Sequence, residues 1–242
     1  MASDADFLVA FLLGILPGLA ILWTSLRRFD RPYVDHTLFD DRRVFGSLAV
    51  GLVFGSIASV LALNLPRSDI ASLLTALAAT ILFEESFKLV WLNRRSYRGR
   101  FDTTFYGVPL GIGAATSGVV AAAWLSRITL YAPETLSLLV VYSVSLGLAN
   151  ADTGALIGFG ASRQDTLGSF LRAIVVRFAH GAFLLPFLLR VDEPFAAISA
   201  ATSVGFVSIV YFYVYRRILP GTLPEEIRRE LRREKRRAAP RG

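Results

Sequence analysis

The chain contains no cysteine and only two histidines, His36 and His180, in 242 residues. Without thiols it has no disulfide, no thiolate nucleophile and no cysteine-based zinc site. Charge is scarce too, with Asp, Glu, Lys and Arg making up 19% of the residues. What fills the space is apolar: 54% of the sequence, with a mean hydropathy of +0.52. Such a composition belongs to the bilayer rather than to a soluble domain. A crossing takes about 20 largely apolar residues, so the chain has room for seven or eight crossings and for no sizeable soluble domain.

The net charge of +7 is concentrated rather than spread. Residues 216–242 hold ten Arg or Lys against four Glu. A basic tail beside a membrane span points to anionic lipids at the cytoplasmic face as partner, and not to nucleic acid.

Seven apolar segments stand out, at 6–26, 45–65, 70–92, 104–126, 134–160, 168–189 and 194–215. No ten-residue alternating pattern accompanies them, and an open sheet cannot span a bilayer. The predicted fold is therefore all-α: a polytopic membrane protein, a bundle of about seven transmembrane helices. Residues 1–219 form the bundle as a single domain. Residues 220–242 form a basic cytoplasmic tail, with a short helix to about Arg237 opened by a capping box at Thr222-Leu223-Pro224-Glu225. The first segment follows acidic residues (Asp4, Asp6) and precedes Arg27-Arg28, so it is expected to remain as a span rather than be cleaved as a signal peptide. Pro17-Gly18 is expected to kink it.

Orientation follows from the basic residues of the connections. Arg27, Arg28, Arg31, Arg42 and Arg43 lie in 27–44, Arg94, Arg95, Arg98 and Arg100 in 93–103, and Arg163 in 161–167. The alternate connections carry one arginine each. This places the N-terminus outside and the C-terminus in the cytoplasm of a multi-pass protein of the cell membrane. Tyr211, Phe212, Tyr213 and Tyr215 then form an aromatic anchor at the cytoplasmic boundary.

A charged side chain at mid-membrane costs at least about 2.5–3.5 kcal/mol, so each one must face protein or water. The third segment carries Glu84, Glu85 and Lys88 within five residues. The i,i+3 and i,i+4 spacings put all three on one face. Two adjacent buried carboxylates repel each other, which suits one of them to general acid–base work. At about 1.5 Å of rise per residue, Glu84 lies roughly 12 Å, Asp152 and Arg177 roughly 14 Å, and His180 roughly 18 Å from the cytoplasmic ends of their spans. These depths agree within about one turn, as one water-accessible site requires. Arg177 and His180 share a face by i,i+3 spacing. Arg172 lies nearer the cytoplasmic end, where it is equally able to snorkel. Asn150 and Thr153 are equally suited to plain helix–helix hydrogen bonding. Asp102 is placed either to cap the fourth helix or to pair with Arg100 or Lys88. Gly107 and Gly111 form a small-xxx-small face for close helix approach.

Together these segments resemble the PrsW family of intramembrane proteases, relatives of the CAAX-processing and bacteriocin-immunity proteases. The resemblance rests on a Glu-Glu-x-x-Lys motif at Glu84–Lys88, an Asp-x-x-x-Tyr-Gly-x-x-x-Gly-x-Gly segment from Asp102 to Gly113, and an Arg-x7-His pair at Arg172 and His180, in that order over residues 80–190. It implies hydrolysis of a peptide bond in or near a membrane-embedded protein or peptide substrate. Glu84, Glu85 and His180 would be catalytic, with Glu84 the general base, and Lys88, Asp102, Asp152, Arg172 and Arg177 supporting. The family continues the second motif with a Glu-Asn pair, where this chain has Gly118 and Val119. No metal or other cofactor is expected. Two carboxylates and a histidine could bind zinc, but the sequence has no His-Glu-x-x-His. Two other function classes are open on the sequence: a proton- or ion-coupled transporter using the same carboxylates, and a catalytically inactive binding relative of the protease. A retinal protein is excluded because residues 194–215 contain no lysine.

Overall fold

The computed structural model describes residues 4–30, 37–66, 68–125, 130–189 and 193–238. His36 and the outer-connection arginines Arg67, Arg127 and Arg190 lie outside the described residues. The chain is an all-α, multi-pass membrane protein with seven helices long and apolar enough to cross, and no strand among the described residues. They are α1 (Asp4–Asp30), α2 (Asp41–Asn64), α3 (Ile70–Leu92), α4 (Thr103–Leu125), α5 (Pro133–Arg163), α6 (Thr166–Leu188) and α7 (Glu193–Tyr213).

Local chemistry sets several of the helix ends. Asp40 accepts a hydrogen bond from the Arg42 backbone N–H at 2.9 Å to start α2. Asp69 and Ser72 exchange side-chain-to-backbone bonds in a capping box at the start of α3. That hydrogen bond from the Ser72 amide holds the exposed Asp69 carboxyl below its ordinary value. Pro133 opens α5, where its missing N–H is no loss. Gln164, in the left-handed region at φ 61°, closes α5 and turns the chain into α6.

The center of the bundle is α4, whose most apolar stretch is 67% buried, against 17% for α3. Lipid tails are as apolar as leucine, so close packing rather than hydrophobic exclusion must join spans. The glycines of α4 provide it. A Cβ on Gly107 would lie 2.0 Å from the Gly154 carbonyl oxygen, and one on Gly111 would lie 1.9 Å from that of Asn150. The small-xxx-small face read from sequence is therefore the α4–α5 contact. Gly111→Leu is expected to force the two backbones apart and to lower stability by about 3 kcal/mol or more, measured by denaturant titration of the solubilized protein. Unfolding at the wild-type midpoint would show that the two helices are not in contact there.

The seventh crossing departs from expectation at its inner end. It does not stop near residue 215 or give way to a separate tail at residue 220. It passes through a π-helical turn (Val214–Ile218) into a short helix α8 (Leu219–Thr222), followed by α9 (Glu225–Ala238). Thr222 does not take part in the expected capping box. It is buried, and its hydroxyl donates to the Phe101 carbonyl at 2.7 Å and lies 2.8 Å from the Thr104 hydroxyl. That ties the end of the crossing to the start of α4.

Candidate functional site

The inward stripe of α3 is Ile81, Glu85, Lys88 and Leu92, spaced 4, 3 and 4 residues apart and all buried. Two charges thus lie on the buried face of the span, while Leu74, Leu82, Phe83 and Val90 are exposed. The Lys88 ammonium is fully committed. Its three donors reach Glu85 Oε1 at 2.7 Å, Asn150 Oδ1 at 2.8 Å and Thr153 Oγ1 at 2.9 Å. Asn150 and Thr153, one turn apart on α5, are there to receive it. The Thr153 hydroxyl also lies 3.1 Å from Glu85 Oε1.

Arg177 comes in from α6 and touches three partners. Its Nη2 donates to Glu84 Oε2 at 2.6 Å, and its Nε lies 3.2 Å from Glu85 Oε1. Nη1 lies 3.4 Å from His180 Nδ1. The local charges therefore balance, with Glu84 and Glu85 facing Lys88 and Arg177. Accessibility within the cluster is uneven. The Glu85 side chain is 0% exposed and that of Glu84 13%, more than those of Lys88 and Arg177. Glu84 also keeps its second oxygen unengaged by any described residue.

His180 continues the network into α7. A guanidinium N–H can only donate, so Nδ1 accepts from Arg177 and Nε2 carries the imidazole proton. Nε2 then donates to the Ser145 hydroxyl at 2.9 Å, which lies 2.6 Å from the Ser203 hydroxyl. The imidazole acts on the carboxylates only through Arg177. Ser145 and Ser203 carry no sequence signal, since serine is ordinary in membrane helices and partners 35 and 58 residues apart in sequence are invisible without the fold.

The structure thus brings Glu84, Glu85, Lys88, Arg177 and His180 together. Three other candidates lie elsewhere. Asp102 belongs to a separate cluster at the α4 start: Arg100 grips it through two bonds, of 3.0 and 2.7 Å, and the Tyr106 hydroxyl donates to it at 3.0 Å. Of the alternatives read from sequence, pairing with Arg100 is the one observed, and pairing with Lys88 is not. Donating to the Asp102 carboxylate raises the Arg100 guanidinium above its already high ordinary value. Arg172 is exposed near the start of α6, 3.9 Å from Asp165, and does not reach the cluster. Gly118 faces Leu146, and Val119 packs with Ala115 and Leu146 against Leu13 and the ring of Tyr142.

Asp152 shares the depth but not the direction. It is 0% exposed, and neither carboxylate oxygen has a hydrogen-bond partner among the described residues. At 100° per residue it lies about 200° round α5 from Asn150, on the side of Leu148 and Leu156, away from Lys88. A buried polar group without a partner destabilizes. Asp152→Leu is expected to raise the stability of the solubilized protein by about 1–3 kcal/mol, read from its unfolding midpoint. A lowered midpoint would show that the carboxyl is held by something outside the chain.

Among the described residues no three His, Asp or Glu side chains gather closely enough to hold a metal ion. Between the carboxylates and the imidazole sits the Arg177 guanidinium. Comparisons with protein families, with curated proteins and with solved structures return no match.

Proposed function

We propose that the chain is an intramembrane protease of the PrsW type, hydrolyzing a peptide bond in a membrane-embedded protein or peptide with Glu84 as general base. The observation that carries this reading is the gathering of five chemistry-bearing side chains from α3 and α6, in which the Arg177 guanidinium touches Glu84, Glu85 and His180 and Glu84 is the accessible carboxylate. The division of labor differs from the one read in the sequence. Glu84 takes a proton from water, Glu85 anchors Lys88 and Arg177, and the two cations offset negative charge that develops on the scissile carbonyl oxygen. His180 is a positioning residue that orients Arg177. Asp102 and Arg172 have no part in it.

A second reading rests on the charge balance. Two anions and two cations fully paired in a buried site also describe a structural ion cluster, and the apolar surroundings of Gly118 and Val119 fit an inactive relative. One experiment separates the two: incubation of the purified full chain in liposomes with a panel of single-span peptides, wild type against Glu84→Gln. Cleavage by the wild type that the variant loses supports the protease. No cleavage of any peptide by a folded wild type favors the inactive relative.

A further inference from the structure

At the inner end of the bundle, α1 and α7 are bridged by long side chains rather than by close backbone approach. The Tyr211 hydroxyl reaches Ser25 at 3.0 Å and Thr24 at 3.2 Å, so it is not the free interfacial anchor expected from sequence. Arg28 lies over the Tyr215 ring at 5.8 Å, and that ring stacks on Tyr211. The two helices run in the same direction across the membrane. At 100° per residue, Trp23 and Arg27 lie one step back from Thr24 and Arg28, and Phe212 and Arg216 one step on from Tyr211 and Tyr215, which on parallel helices that face each other turns both pairs to the same side.

On that side each helix presents an aromatic ring with an arginine laid over it, four residues further on. Arg27 covers Trp23 at 4.5 Å, and Arg216 covers Phe212 at 4.0 Å. Trp23 is 61% exposed and Phe212 53%, as rings facing lipid would be. Arg27, Arg28 and Arg216 have no carboxylate partner among the described residues, whereas Arg229 of the tail is paired with Glu225 at 2.7 Å. The π-helical turn at Val214–Ile218 adds a residue to the crossing where Tyr215 and Arg216 project.

We propose that this α1–α7 cleft binds the headgroup of an anionic phospholipid of the inner leaflet. The phosphate sits among the guanidiniums of Arg27, Arg28 and Arg216, and the acyl chains lie along Trp23 and Phe212. Three features fit that occupant: guanidiniums with no carboxylate partner among the described residues, the planar fork by which arginine takes phosphate, and exposed aromatic rings directly outward of them. This places the anionic lipid contact on the bundle itself, in addition to the basic tail.

The test uses the full chain with phosphatidylglycerol and phosphatidylcholine as probes. Retention of phosphatidylglycerol by the solubilized protein, counted by native mass spectrometry, is expected to fall about 30-fold in Arg28→Gln/Arg216→Gln, the worth of two arginines near an anionic surface. Arg95→Gln/Arg98→Gln removes the same charge from the exposed α3–α4 connection and is expected to retain wild-type binding. Equal loss in both pairs, or none in the first, overturns the site. A second measurement leaves the arginines in place. With Trp91→Phe and Trp124→Phe, Trp23 is the one remaining tryptophan. Brominated phosphatidylglycerol at low mole fraction should quench it more than the same fraction of brominated phosphatidylcholine. Equal quenching by the two lipids overturns the proposal.

Discussion

Arg177→Met should lower the stability of the solubilized protein by about 3–5 kcal/mol, the usual effect of removing one partner from a buried ion pair. Among the described residues the guanidinium alone is seen to bond both Glu84 and His180, and it also lies against Glu85. Methionine fills much of its volume, so the loss is electrostatic rather than a cavity. Two carboxylates are then left with Lys88 alone. Adding Glu84→Gln to the Arg177→Met variant restores the balance of one anion and one cation. The double variant should therefore recover part of the loss, with a coupling of about 0.5–3 kcal/mol. Unfolding of Arg177→Met at the wild-type midpoint would remove Arg177 as the counter-ion of the cluster.

Glu84→Gln is expected to reduce peptide-bond cleavage by at least about 10²-fold, the scale of a lost general base, with little change in stability. The amide oxygen of glutamine can still accept from Arg177, and the position is the most accessible of the four charges. Glu85→Gln should behave in the opposite way. Its carboxylate is fully buried and receives Lys88, Thr153 and the flank of Arg177, so its neutralization weakens three contacts that water cannot replace and acts first on folding. Rates compared at equal concentrations of folded protein separate the two roles. A Glu84→Gln variant that cleaves at the wild-type rate would end the general-base assignment.

The seven crossings are legible in hydropathy because each helix must satisfy its own backbone in lipid. The expected third segment, 70–92, is the observed α3. The last crossing runs past its expected end at 215 because Pro220 and Gly221 are held in helix by the bonds of Thr222 to the start of α4 and to α5. The site is legible as depth but not as direction. Counting rise per residue places Asp152 beside Glu84 and Arg177, and it is indeed at a similar level. The 100° step, applied to Asn150, Asp152 and Thr153, already separates Asp152 from the other two, and the structure follows that separation. Asp102 could have been assigned from Arg100, two residues earlier, whose planar fork fits a carboxylate better than an ammonium does. The pairing of Arg177 with Glu84 spans 93 residues, and no local pattern announces it.

That same separation sets an order of events during synthesis. When α3 leaves the ribosome, Lys88 can pair within the helix with Glu85 or Glu84 but cannot neutralize both, so one carboxylate has no counter-ion until α6 is made. At roughly 5–20 residues per second, the interval is on the order of ten seconds. Asn150 and Thr153 arrive with α5 and satisfy Lys88 first, and Arg177 follows. Through that interval the third span holds a carboxylate that lipid does not accept. It must wait at the membrane surface or in the insertion machinery until the sixth span delivers the charge that lets it settle.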